Sequence, residues 1–367
     1  MPELLTDREQ SLRDRARAFA RDVLLPLAGE PSATAQVIKA SKAEGFFAMT
    51  QPADFGGTEG SALELTIVRD ELAAANAPFT QLVFGPGPGV LGGATEPLRS
   101  THLAPLLAGE KRGSFGFTEP DDTPQPTTAV ADGNHWVVTG QKSYVTGGAE
   151  ADFINTLVQI PDQGPAMLVI DTDSKGVNLV RRFGSLDGSH HAAFEFDRVR
   201  VPFDNLIGKP GEGLPRAMRQ IGDTRLAFAA TSVGIMRWVD DFLIGYLKQP
   251  DRSGQPRGDK EGVRLRYADA RIQSFAARSM VYRTARLADA GENVINEAIA
   301  CKVFTTELVG HVVDNAIQLV GGAALVDGHP LEQLYRRVRS MRLAEGGSDV
   351  LRLNLARGSL ELDKGRI

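Results

Sequence analysis

Apolar and polar residues change their rhythm twice along this chain. Up to about residue 112 the apolar positions recur at helical spacing. From Gly113 to about Gly208 they fall into short runs and alternations typical of strands, and from about Glu212 the helical spacing returns. In the first part, Thr6-Asp7-Arg8-Glu9 reads as a capping box. Leu12, Ala16, Phe19 and Val23 behind it form one helix face, which Pro26 ends. Further helices are predicted over 36–44, stopping at Gly45, and over 61–75. The middle part holds the strand signals Trp136-Val137-Val138-Thr139, Phe153-Ile154-Asn155-Thr156-Leu157-Val158, Met167-Leu168-Val169-Ile170 and a clean alternation over 193–201. Turns are expected at Ala131-Asp132-Gly133-Asn134 and Thr139-Gly140-Gln141. In the last part Leu226, Ala229, Ala230, Val233, Trp238, Phe242 and Tyr246 mark one long helix. A polar break at 249–262 and two more long helices over 263–290 and 293–319 follow. The predicted organisation is α+β: an N-terminal helical domain (1–112), a β-barrel or β-sandwich domain (113–208) and a C-terminal helical bundle (209–367).

Composition narrows the possibilities. A chain of 367 residues with 42% hydrophobic content can bury a large core. Its net charge of -5 is mild and its Lys and Arg are dispersed, so no basic stripe asks for nucleic acid. The single cysteine, Cys301, excludes an intrachain disulfide, and its apolar run Ala298-Ile299-Ala300-Cys301-Lys302-Val303-Phe304 suits a small buried hydrophobe. His190 and His191 are adjacent rather than at ligand spacing, so no metal site is expected. No apolar run reaches membrane-spanning length, and residues 1–10 are polar and acidic, unlike a secretory signal; a soluble, cytoplasmic protein without membrane partners is expected. Gly87, Gly89 and Gly92 spell GxGxxG, but two prolines interrupt it and helix-like flanks surround it, which argues against a dinucleotide fingerprint.

The chemically suggestive stretch is Arg342-Leu343-Ala344-Glu345-Gly346-Gly347-Ser348-Asp349-Val350. One carboxylate is followed by two glycines, which permit a backbone path other residues resist. Ser348 is expected to cap the next helix, with Asp349 in its first turn. A carboxylate on such a bend can serve as a base if its surroundings are dry, or can be an ordinary surface glutamate.

Four separated stretches change those odds: Phe115-Gly116-Phe117-Thr118-Glu119-Pro120, the run 134–148 with Lys142-Ser143-Tyr144-Val145-Thr146, Gln318-Leu319-Val320-Gly321-Gly322, and Glu345-Gly346-Gly347. In order and spacing, together with Val199-Arg200-Val201-Pro202-Phe203-Asp204-Asn205, they resemble the acyl-CoA dehydrogenase family over nearly the whole chain. The resemblance implies a helical domain, a β domain and a four-helix bundle, with FAD between the last two. It implies an oxidoreductase of fatty-acid or lipid metabolism that converts acyl-CoA to 2,3-enoyl-CoA. Phe117 and Thr118 match positions on the pyrimidine side of the flavin. Tyr144 and Thr146 match the family's Trp-x-Thr, whose aromatic covers the ring while the Thr lies near N5. Gln318, Gly321 and Gly322 match a segment that reaches a neighbouring subunit's FAD, and Asp349 a position on its adenosine side. Glu345 matches the base that takes the α-proton while a hydride goes to N5. A backbone N–H at that base, with the Gly346 bend, serves the thioester carbonyl, and Arg225 matches an arginine lining the site. A homotetramer or homodimer and an electron-transfer flavoprotein or similar acceptor are implied.

Three departures qualify the resemblance. The turn after Thr118-Glu119-Pro120 lacks the family's Gly-Ser-Asp, which leaves open whether coenzyme A or an acyl-carrier protein presents the thioester. The family's Arg-x-x-Phe-Gly is replaced by Pro250-Asp251-Arg252-Ser253-Gly254, which lowers the expected grip on FAD or requires a partner chain in a heterotetramer. Ala344 and Gly347 stand where bulkier residues are usual, which suggests room for a branched, ring-bearing or hydroxylated acyl group.

Overall fold

A computed structural model describes residues 4–30 and 32–362; the outermost ends of the first and last predicted domains, 1–3 and 363–367, lie outside the described residues. In chain order the regular elements are α1 (Asp7–Phe19), α2 (Ala33–Glu44), α3 (Ala62–Ala74), α4 (Ala104–Ala108), β1 (Gly113–Gly116), β2 (Thr128–Asp132), β3 (His135–Thr146), β4 (Phe153–Ile160), β5 (Gly164–Asp171), β6 (Val177–Gly184), β7 (His190–Pro202) and β8 (Leu206–Ile207). Helices α5 (Gly213–Leu247), α6 (Glu261–Asp289), α7 (Ile295–Val320), α8 (Pro330–Met341) and α9 (Ser348–Glu361) complete the chain. By internal packing they fall into two units. One contains Met1–Met49, Gly60–Phe84 and Gly222–Ile367; the other contains Thr50–Glu59 and Gly85–Ile221.

The first unit is helical and is built from both ends of the chain. Thr6 caps α1 with the expected box, its hydroxyl accepting from the Glu9 N–H at 3.3 Å while the Glu9 carboxylate accepts from the Thr6 N–H at 2.7 Å. The helical path continues beyond Phe19 as a π turn and a short 3₁₀ turn that contains Pro26. Gly45 ends α2 in a left-handed conformation, and Ser61 with Glu64 forms a second capping box at α3. Val239 and Leu243 of α5, Val281 of α6, Val309 and Val313 of α7 and Val338 of α8 share one buried cluster. Among them lies a fully buried carboxylate, Asp70 of α3. It accepts from Arg237 of α5 at 2.7 Å, from Arg278 of α6 at 3.0 Å and from the Tyr282 hydroxyl at 2.7 Å. The neighbouring Glu71 accepts from Arg17 of α1 at 2.7 Å and from Arg237 at 3.1 Å. Buried carboxylates persist when they are paired and hydrogen-bonded in this way.

The second unit holds one eight-stranded mixed sheet in the order β6-β7-β3-β2-β4-β5-β8, with β1 added to β4 in parallel. Its main core takes Trp136 and Val138 from β3, Ile154 and Val158 from β4, Leu168 from β5 and Phe194 from β7. The other face of β4 and β5, through Phe153, Met167 and Val169, packs with Leu91, Leu103 and Leu107. Burial on both faces explains why these two strands read as unbroken apolar runs. The predicted Gly133-Asn134 turn joins β2 to β3, where Asp132 pairs with His135. Thr139-Gly140-Gln141 is not a turn, as expected from the sequence, but lies inside the continuous strand β3 at a register shift against β7. Gly140 is there because the chain passes so close to Thr127 that a Cβ would lie 2.5 Å from its Cα, at a φ of +148°. The GxGxxG stretch ends in a 3₁₀ turn, Gly89–Gly93, and its Val90 N–H is held by the Gln220 side chain at 2.8 Å.

Candidate active site

The carboxylate singled out in the sequence sits on a tight connection between α8 and α9. Glu345 itself adopts a left-handed backbone, with φ +56°, and Gly346 follows at φ +100°. The glycine is required by that angle and by space, since a Cβ on Gly346 would meet Leu351 at 3.0 Å. Ser348 does not cap α9, as the sequence suggested; it is the first helical residue and Gly347 takes the cap position, so the connection is one residue shorter than expected. Asp349 lies in the first turn, almost fully exposed, with Arg352 at 3.6 Å.

Four hydrogen bonds hold the connection in shape. The Ser348 N–H donates to the Arg342 carbonyl at 3.2 Å. Arg225, buried on α5 and not a helix-surface residue, donates from Nε to the Glu345 carbonyl at 3.2 Å. Lys302 of α7 donates from Nζ to the carbonyls of Gly346 at 2.7 Å and Arg342 at 3.1 Å. Burial raises the pKa of the half-buried Glu345 carboxyl above the ordinary glutamate value, against the pull of Arg225 and Lys302. The result is a desolvated carboxylate on a backbone fixed from two other helices, a group able to take a proton from a weak carbon acid.

On the same unit, Gln318 is exposed in the last turn of α7. Gly321 ends that helix at φ +83°, its N–H returning to the Ile317 carbonyl at 2.8 Å, and Gly322 opens a 3₁₀ turn. A Cβ at either glycine would meet nothing within 4 Å, so the space beside this backbone is open. In the loop 250–254, Asp251 accepts from the Ser253 N–H at 2.8 Å and from Lys260 at 2.7 Å, so the residue standing in for the family's Phe is engaged within its own loop.

The second unit carries the other group of expected site residues. Phe117 stacks on Phe115 at 5.9 Å, and the exposed Thr118 accepts at its carbonyl from the Ser143 N–H at 2.8 Å. The buried Lys142 fastens this segment by donating to Glu119 at 2.6 Å and to the Phe117 carbonyl at 3.3 Å. Tyr144 is not core: it is 63% exposed on a bulge of β3, at φ +53°, edge-on to Phe183 at 5.3 Å. Thr146 is exposed too, with its hydroxyl 3.2 Å from His191 Nδ1. The Ser143 hydroxyl is buried and has no hydrogen-bond partner. Each unit thus gathers its own subset of the expected residues. Sequence reading passed over Lys302, although a lysine inside the apolar run 298–304 was a visible signal, and did not pair His191 with Thr146. Among the described residues, no group of three or more His, Cys, Asp or Glu is arranged to hold a metal ion.

Three family models match the chain in order. They are the acyl-CoA dehydrogenase N-terminal domain over residues 6–110, the middle domain over 114–199 and the C-terminal domain over 211–360. Among curated relatives, a probable acyl-CoA dehydrogenase, YngJ, of Bacillus subtilis is 28% identical, covering 97% of this chain and 99% of that protein. A short-chain specific acyl-CoA dehydrogenase of Clostridium acetobutylicum is also 28% identical, covering 95% and 97%. Among solved structures, a glutaryl-coenzyme A dehydrogenase in complex with glutaryl-CoA superimposes with a TM-score of 0.84 at 26% identity, covering 98% of this chain and 97% of that one. With all three domain models matched in sequence order and relatives aligned nearly end to end, the chain belongs to the acyl-CoA dehydrogenase family, whose members are FAD-dependent oxidoreductases.

Proposed function

We propose that this protein desaturates the α,β bond of an acyl-CoA thioester, with Glu345 as the base that removes the α-proton. The observation that carries this reading is the half-buried Glu345 carboxyl, raised in pKa by burial, on a left-handed bend tied down by Arg225 and Lys302. A carboxylate held in water would be too weakly basic and too mobile for a carbon acid; partial desolvation strengthens it, and the fixed bend orients it. The Glu345 backbone N–H would polarise the thioester carbonyl, which acidifies the α-carbon. The α-proton passes to the Glu345 carboxylate and the electron pair left behind forms the new double bond as the β-hydrogen leaves as hydride. Bound FAD supplies the acceptor for that hydride.

The side chains fit such a ring. Tyr144 offers an exposed aromatic face on a positive-φ bulge, Thr146 is exposed two residues on, Thr118 is exposed with its carbonyl held by the Ser143 N–H, and the buried Ser143 hydroxyl is unpaired. Phe117, stacked on Phe115, is proposed to line the same ring, while Gln318, Gly321, Gly322 and Asp349 are proposed to meet the FAD of a second copy in a homodimer or homotetramer. The electrons then leave to a flavoprotein acceptor. The test is anaerobic: a panel of acyl thioesters is mixed with the purified protein and flavin bleaching is followed. Bleaching by one acyl class in the parent and none in Glu345→Gln is expected; bleaching that survives in Glu345→Gln removes the base assignment.

A second reading rests on the loop 250–254, where Asp251 and Ser253 are engaged with each other and with Lys260 instead of presenting an aromatic. In it, a different partner chain completes the FAD site. Protein purified alone is then colourless, and yellow only after co-expression with that partner.

A further inference from the structure

Lys302 is a fully buried lysine on the apolar side of α7, and its ammonium spends its hydrogens on two backbone carbonyls, Arg342 and Gly346. Those carbonyls bracket Leu343, Ala344 and Glu345. We propose that Lys302 is the positioning residue of the candidate base: it ties together the two ends of the bend and holds a positive charge beside Glu345. The inference rests on Glu345 being the base.

The geometry supports a role beyond packing. A methionine would fill the same apolar space without the cost of burying a charge, but it would make neither hydrogen bond. Both carbonyls would lose a donor if it were removed, and the left-handed turn at Glu345 would lose a restraint. The charged groups acting on Lys302 are Arg225 from α5, Glu345 in the bend and Glu307 on α7 itself. The Arg342 guanidinium, from the end of α8, donates to the Glu307 carbonyl at 3.2 Å. Burial, helped by Arg225 and opposed by Glu345 and Glu307, pushes the Lys302 ammonium down to about 8. It therefore stays largely charged at neutral pH. A fixed cation favours the ionised carboxylate, so without it the Glu345 proton is held to higher pH.

The experiment compares the parent with Lys302→Gln, Lys302→Met and Lys302→Arg, reading the anaerobic flavin-reduction rate against pH and the thermal melt of each. Neutral replacements are expected to move the limb set by the base upward by about one pH unit, with an approximately tenfold slower reduction below that limb. Lys302→Arg keeps the charge and should leave the limb in place. A purely structural lysine would lower the rate evenly across pH. Lys302→Gln keeps a neutral polar donor one bond short of the ammonium's place and carries the test if Lys302→Met does not fold. A folded Lys302→Gln with an unmoved limb overturns the role of Lys302 alone, provided Glu345→Gln is inactive. An active Glu345→Gln overturns the base assignment beneath it.

Discussion

At Glu345 two local costs coincide, a left-handed backbone and a desolvated carboxylate. Neither is needed to join α8 to α9, because a glycine there would accept the angle freely and a glutamine would carry no charge. The raised pKa has a definite sign for stability. Between the unfolded glutamate's ordinary value and its higher folded value, the native state keeps a proton that the unfolded chain has lost. Stability from this group therefore falls as pH rises through that window. Glu345→Gln is accordingly expected to melt later than the parent at pH 7 to 8, by on the order of 2 °C, while losing turnover. At pH 4, where the parent carboxyl is itself protonated, the difference in melting should vanish. Differential scanning calorimetry at the two pH values checks both halves, and an earlier melt at neutral pH contradicts the assigned desolvation.

The elements show where sequence was a sufficient guide and where it was not. The capping box at Thr6, the stop at Gly45 and the long helices after Glu212 were legible because each rests on local chemistry or on a sustained helical stripe. Strands β4 and β5 were legible as apolar runs. Strand β6 was missed: it lies at the sheet's edge with most of its side chains in water, so no alternation marks it. Gly140 was misread because a glycine in a turn and a glycine at a close crossing look alike in one dimension. The site followed the same division. Glu345 and the exposed Tyr144 were singled out as candidates through motifs, whereas the left-handed turn at Glu345 and the buried donors beneath it depend on contacts between distant residues. Gly140→Val tests the crossing. The new Cβ would meet the Thr127 Cα first, a backbone atom that cannot swing aside, so a loss of about 2–4 kcal/mol is expected from urea unfolding followed by tryptophan fluorescence. A loss no larger than that of a surface glycine replaced in the same way would put the register of β3 in question.

In the helical unit, which is discontinuous in sequence, α1 and α2 pack with α3 in a cluster of their own, and α3 packs onward through Ala73 with α5 and through Leu63 and Ile67 with α6. Asp70 is the electrostatic centre of that union. Asp70→Asn removes the buried carboxylate that Arg237 and Arg278 share, leaves Arg237 with Glu71, and is expected to cost about 3–5 kcal/mol. Hydrogen exchange should rise together in α3, α5 and α6, whereas protection in β4 and β5 should change less. Uniform loss of protection throughout both units would mean that they unfold as one. During synthesis this arrangement has a temporal side. Arg237 is translated 167 residues after Asp70, and Arg278 later still. At about 5–20 residues per second, the first helices leave the ribosome roughly ten to thirty seconds before their guanidinium partners exist. The nascent chain must carry an unmatched acid and a bare apolar surface through that interval, while the intervening sheet has time to assemble.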